Sequence, residues 1–169
     1  MSLVSLNAEF TELRKISSNF IYVTVLDCSG ILSGKLGIDV RFTYPDFYEQ
    51  YRNIFGDVND KTLDRHLGAL VIRRTDEYFV IGIIGSNISI KKTIEETDDK
   101  QTLNITANDG YNIDAIKGGL SNLNNYLLKE NIKFPIIFPV DIEKHPEIVE
   151  LLVDTYVGND QFQVLMCKE

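Results

Sequence analysis

Asp27-Cys28-Ser29-Gly30-Ile31-Leu32-Ser33-Gly34-Lys35-Leu36-Gly37 is the stretch on which the fold of this chain turns. It follows Ile21-Tyr22-Val23-Thr24-Val25-Leu26, a run rich in β-branched and aromatic residues. A run of that kind reads as a central strand buried on both faces. A buried strand that opens into a glycine-rich loop and then a helix is a geometry that holds phosphate or ribose. Glycines let the backbone approach closely, and the first turn of the helix has N–H groups without intrahelical partners. Gly30, Gly34 and Gly37 are spaced four and three apart. They match neither a Walker A motif nor G-x-G-x-x-G. Three glycines also suffice for a plain strand-to-helix turn, and both readings stand at this point.

Outward from the loop, Phe47, Tyr51, Ile54 and Phe55 form a short helix after Pro45. Ala69–Arg74 and Tyr78–Ile84 read as paired strands, with Thr75-Asp76-Glu77 as their turn. The polar stretch Lys91 to Lys100, with Glu95, Glu96, Asp98 and Asp99, reads as a solvated loop or hairpin turn. Ile113, Ile116, Leu120, Leu123 and Leu127 recur at helical spacing, with Asp109 or Asn112 to cap the start. Gly118 and Gly119 fall inside that pattern, which suggests close packing against a sheet. Ile132–Phe138 reads as a further strand, although Pro135 has no N–H for a ladder. Pro146 suits the first turn of a helix carrying Ile148, Leu151, Leu152 and Tyr156. Phe162–Cys167 closes the chain as a strand. Strands alternating with helices give a three-layer α/β/α domain with a mixed, mainly parallel central sheet.

The bulk properties narrow the function classes. A chain of 169 residues suits one domain over 1–169, and 44% hydrophobic with 25% charged residues is a globular balance. The apolar runs are too short to span a bilayer, and no signal-peptide pattern opens the chain, so the expected location is the cytoplasm. A net charge of -8 argues against duplex nucleic acid or an anionic membrane as partner. A small anion is still compatible, because backbone N–H groups bind phosphate on an acidic protein. Cys28 and Cys167, with His66 and His145, offer no metal-ligand spacing, so no metal or cofactor is expected.

Individual residues admit plain readings beside functional ones. Cys28 follows a buried strand, where a thiol can be activated, but with no His nearby in sequence it reads as a packing residue. Ser86-Asn87, at the end of an apolar strand, lines the same cleft or simply makes a turn. His66 and His145 read as surface or capping residues, and Asp39 and Arg41 as solvent-facing. Lys91-Lys92 either touch an anionic ligand or serve solubility.

Asp27, Gly30, Ile31-Leu32, Ser33-Gly34-Lys35, Val40 and Tyr44-Pro45 keep one register with a family pattern. That pattern runs Asn, two residues, Gly, a hydrophobic pair, a Gly-rich turn, a helix and Tyr-Pro. It resembles the first ligand loop of a macro domain. Tyr48 and Tyr51 after Pro45, Glu9-Phe10-Thr11 in place of Asp-Ile-Thr, and Leu67-Gly68-Ala69-Leu70 before a hairpin extend the resemblance over nearly the whole chain. The resemblance implies binding of ADP-ribose or a related nucleotide. Glu9 would accept from the adenine amino group, and Asp27 would face the distal ribose. The backbone of Ser33, Gly34, Lys35 and Gly37 would meet phosphate. Cys28, Gly30, Ser86, Asn87 and Pro139 complete the implied ligand-facing set.

The chain departs from the family in three places, one of them Lys35, whose long side chain interrupts the glycine turn while its ammonium could pair with a phosphate. Asp27 stands where hydrolytic members carry Asn, and an ionised carboxylate only accepts hydrogen bonds. Phe138-Pro139-Val140-Asp141-Ile142-Glu143 replaces the second Gly-rich loop, with a proline that has no N–H and two carboxylates facing an anion. Two functions follow. One is a nucleotide-binding macro-like module with weak ADP-ribose 1″-phosphate phosphatase or ADP-ribosyl hydrolase activity, in which Asp27 is the catalytic candidate. The other is a non-catalytic relative that sequesters a nucleotide or contacts a protein partner. The intact first loop ranks ligand binding ahead of pure scaffolding, and the altered second loop argues against efficient hydrolysis.

Overall fold

A computed structural model describes residues 3–13, 19–28, 30, 32, 34–55, 66–86, 91–97, 100–106 and 111–168. The elements run β1 (Leu3–Glu9), α1 (Phe10–Leu13), β2 (Ile21–Asp27), α2 (Gly34–Thr43), α3 (Pro45–Phe55), β3 (Leu70–Arg74) and β4 (Phe79–Ser86). They continue with β5 (Lys91–Thr97), β6 (Lys100–Thr106), α4 (Ile113–Lys129), β7 (Ile136–Pro139), α5 (Pro146–Tyr156) and β8 (Val164–Lys168). Six strands form one sheet in the order β1-β8-β7-β2-β4-β3. All neighbours are parallel except β3, which pairs antiparallel with β4. Among the described residues, no helix is long and apolar enough to cross a membrane.

Strand alternation sorts the side chains into two cores. Ile21 and Val23 of β2, Phe79, Ile81 and Ile83 of β4, Ile136 and Phe138 of β7, and Val164 and Met166 of β8 meet α4 and α5 on one face. Tyr22 and Leu26, Val80 and Ile84, Ile137, and Cys167 meet α1, α2 and α3 on the other. Both faces are therefore covered, which is why β2 reads as one apolar run rather than an alternating one. Gly82 and Gly85 of β4 mark where helices come closest. A Cβ at Gly82 would lie 2.3 Å from Leu26 and 2.9 Å from Phe47 of α3. One at Gly85 would lie 2.5 Å from Ile116 of α4.

Several expectations are refined. The strand read over 132–138 is confined to Ile136–Pro139. Asn131 takes a positive φ of 53° at the end of α4, the Ile132 N–H bonds Leu127 O, and Pro135 serves only as an acceptor, to Ile21 N–H. The polar stretch from Lys91 contributes a full two-stranded ribbon, with Lys91 opposite Thr106 and Thr97 opposite Lys100. Asn112 is the cap of α4, accepting from Ala115 N–H at 3.0 Å, while Asp109 lies outside the described residues. Gly119 packs on Ile83 of the sheet as its spacing suggests, but Gly118 is exposed with nothing near its absent Cβ. β1 has no counterpart in the sequence reading. Its strand character comes from pairing with β8, far downstream in the chain, in register at Leu3 opposite Val164.

Candidate functional site

β2 and β7 lie side by side and parallel. The chain leaves β2 through α2 and α3 on one face toward β4, and leaves β7 through α5 on the opposite face toward β8. The connections diverge at that point, so a crevice opens beyond the carboxyl ends of β2 and β7. In open α/β sheets such a switch point is where ligands bind. Thr24 and Val25 of β2, Leu36 of α2, Pro139, Val140 and Asp141 after β7, and Ile148 of α5 line it.

Tyr51 ties together two described residues at the start of the first loop, Asp27 and Gly30. The pairing of β2 with β4 steps from Leu26 opposite Ile84 to Asp27 opposite Ser86, so the ladder slips by one residue at Gly85. The Gly85 carbonyl instead accepts from Asn112 N–H at 2.7 Å, which ties the start of α4 to the bulge. The Tyr51 hydroxyl of α3 lies 2.7 Å from the Asp27 carboxylate and 2.8 Å from the Asp27 carbonyl, and accepts from Gly30 N–H at 3.2 Å. Asp27 therefore faces α3 through its side chain. Gly30 has φ +75°, and a Cβ there would lie 3.1 Å from Phe55. Both the backbone angle and the approach to α3 require glycine. Gly37 sits equally close to Leu32, so the loop folds back on the first turn of α2. Gly34 and Lys35 begin that helix. Cys28 is fully buried beside Leu32 and Val40 in the α2–α3 core. Ser33 and Asn87 lie outside the described residues.

Glu9 is the last residue of β1 and stands opposite Lys168 of β8. Four strands run parallel from β1 to β2, so Glu9 shares the carboxyl edge with Asp27. Three strand spacings separate them, about 14 Å. Ser86, buried at the end of β4, bridges to Tyr111 just before α4. The strand ends thus bring Glu9, Pro139, Asp27, Gly30 and Ser86 into one row, with Gly34–Gly37 beside it.

The second loop is partly tied down by hydrogen bonds within the protein. Pro139 ends β7 without an N–H, and Val140 N–H is used by Cys167 O at 2.9 Å. The Asp141 side chain accepts from Lys144 N–H at 3.1 Å, and its carbonyl accepts from His145 N–H at 2.8 Å. Three amides of the segment, those of Val140, Lys144 and His145, are thereby occupied. His145 sits at the cap position of α5 without capping it. Its Nδ1 meets a Glu147 carboxylate oxygen at 3.2 Å, so Nδ1 carries the proton. Its ring meets Tyr111 edge to face at 4.4 Å. His145 is thus half-buried in the cleft rather than a surface residue. His66 packs edge-on against Phe55 at 5.2 Å, and exposed Arg41 lies over the Tyr48 ring at 4.7 Å. The sequence reading missed the roles of Tyr51, Tyr111 and His145, since the Tyr51–Asp27 and Tyr111–His145 contacts join residues more than twenty positions apart.

A three-layer α/β/α unit with a mixed, mainly parallel sheet is the class that the fold defines. Solved macrodomain structures share this fold. The chain is similar to a macrodomain protein from Streptomyces coelicolor at a TM-score of 0.68 and 12% identity, over 99% of each chain. It is similar to the macrodomain of Thermus aquaticus DarG at 0.64 and 10% identity, over 99% of this chain and 98% of that one. Thermosipho africanus DarTG, solved in complex with ADP-ribose, is similar at 0.60 and 13% identity, over 88% of this chain and 38% of the other. No family model matches the sequence. No curated protein matches it either.

Proposed function

We propose that residues 1–169 act as one macrodomain-type module that binds ADP-ribose or a closely related nucleotide along the row of strand ends from Glu9 to Ser86. The observation that carries this reading is the first loop. Gly30 at positive φ and Gly37 against Leu32 bring the start of α2 to the switch-point crevice, where its first-turn N–H groups favour an anion. Glu9 stands at the far end of the same edge, suited to accept from an exocyclic amine. The Thermosipho DarTG structure, of which 38% shares this fold, was solved in complex with ADP-ribose, and this supports the choice of ligand. Binding without efficient hydrolysis is the form supported best, because Tyr51 already engages the Asp27 carboxylate. A cytoplasmic location accords with this role.

A second reading, contact with a protein partner, is favoured by Ile38 and Phe42. They are 50% and 79% exposed and lie four residues apart on α2.

Isothermal titration of the full chain with ADP-ribose tests the ligand. Saturable heat is expected for the wild type, with affinity at least tenfold weaker in Gly34→Glu, which sets a carboxylate against the helix N-terminus. No heat at millimolar ligand in the wild type would remove ADP-ribose. Equal affinity in the variant would place the ligand elsewhere.

A further inference from the structure

Two hollows flank the β7–α5 loop, and both are lined by Val140 and Asp141. The hollow on the β8 side has a volume of ≈ 500 Å³ and is also lined by Ile142, Glu143 and Lys168, the last being the register partner of Glu9. The one on the β2 side, at the switch point, has only ≈ 30 Å³. Pockets for small ligands span roughly 300–1,000 Å³. The first hollow therefore has room for a base and its ribose, whereas the second holds about a water molecule.

Tyr111 and His145 account for the difference. Tyr111, just before α4, bridges to Ser86 at the end of β4, and His145 stands between β7 and α5. β4 and β7 flank β2 on opposite sides, so the edge-to-face contact of the two rings spans the end of β2. Both rings line the small hollow. Each is also anchored from behind. Tyr111 bridges to Ser86, and the His145 ring is held by Glu147.

We infer that the Tyr111–His145 pair determines the length of ligand this edge admits: a nucleoside monophosphate whose base and ribose lie in the β8-side hollow leaves the rings in contact, whereas a ligand extended by a second phosphate and ribose must part them. This rests on the nucleotide-binding reading above and specifies the ligand class within it. The pair acts on specificity, and no chemical step is assigned to it.

The test compares AMP with ADP-ribose by isothermal titration of the wild type, His145→Ala and Tyr111→Ala, with thermal melts to confirm folding. Two variants act from opposite sides of one contact, so a folding defect in one leaves the other decisive. An edge-to-face pair is worth about a threefold to tenfold change in affinity. ADP-ribose should bind about that much more tightly to either folded variant, with AMP affinity unchanged within twofold. Equal gains for both ligands, no gain for ADP-ribose, or weaker ADP-ribose binding would each overturn the inference while AMP binding preserves the nucleotide site. Absence of AMP and ADP-ribose binding in all three proteins would overturn the nucleotide-binding reading, and this inference with it.

Discussion

The Tyr51 hydroxyl lies 2.7 Å from the Asp27 carboxylate and accepts from the Gly30 N–H at 3.2 Å, so one side chain of α3 ties together two residues at the start of the first loop. Tyr51 is fully buried, which makes loss of its hydroxyl costly. Tyr51→Phe strips the Gly30 N–H of this acceptor and the carboxylate of this donor. A destabilisation of about 1–3 kcal/mol is expected. Asp27→Asn keeps a carbonyl oxygen to accept from Tyr51, and should cost under about 1 kcal/mol. Urea denaturation measures both, as a shift of midpoint at constant slope. A larger loss in Asp27→Asn than in Tyr51→Phe would show that the hydroxyl is not the organising group.

The same contact bears on chemistry. A general base needs a lone pair directed at the proton it removes. The Asp27 carboxylate has one oxygen engaged by Tyr51 on the α3 side. Phosphate release from ADP-ribose 1″-phosphate should therefore change less than about threefold in Asp27→Asn, whereas removal of a general base typically costs about 10²–10⁴-fold. A hundredfold loss, with binding retained, would restore Asp27 as a catalyst.

Gly118 and Gly119 are adjacent in α4 and should respond in opposite ways. Gly118 has open space where a Cβ would stand, so Gly118→Ala gains helix propensity of about 1 kcal/mol. At Gly119 a Cβ would lie 2.3 Å from Ile83 Cγ2, inside the β4–α4 contact. Overpacking of that kind costs typically about 1–3 kcal/mol, which outweighs the propensity gain. Thermal melts of the two variants should move up and down respectively. A rise in both would mean that α4 can lift from the sheet without penalty.

These glycines also mark how far the sequence could be read. Helical spacing from Ile113 to Leu127 placed α4 and the unbroken apolar run placed β2, because in both the pattern follows from burial that each segment carries by itself. β1 was not legible, since Leu3–Glu9 becomes a strand through its pairing with β8. β5 and β6 were not legible as strands, because Lys91–Thr97 and Lys100–Thr106 carry mostly polar residues and pair with each other rather than with the main sheet. In the site, the glycines of the first loop and the missing N–H of Pro139 could be read directly. The slip at Gly85, the Tyr51 contact and the meeting of Tyr111 with His145 depend on which strands become neighbours, and no local pattern encodes that.

Tyr156 closes the α5 side of the core and carries a prediction for alkaline solution. It is fully buried, with its hydroxyl donating to Asn124 Oδ1 at 2.8 Å. Burial raises its pKa well above the ordinary tyrosine value near 10. Above about pH 10 the unfolded chain ionises this phenol while the folded chain keeps it protonated. The folded state then binds more protons than the unfolded one, so stability falls as pH rises. The contribution is complete below pH 10 and declines above it at up to about 1.4 kcal/mol per pH unit. Tyr156→Phe removes that slope, at a cost near neutrality of about 1 kcal/mol for the lost hydrogen bond. Tyr78, whose pKa is also raised chiefly by burial, adds a weaker dependence of the same sign that remains in the variant. Urea midpoints between pH 8 and 11 should therefore converge for wild type and Tyr156→Phe as pH rises. Parallel curves over that range would mean that Tyr156 ionises alike in the folded and unfolded chains.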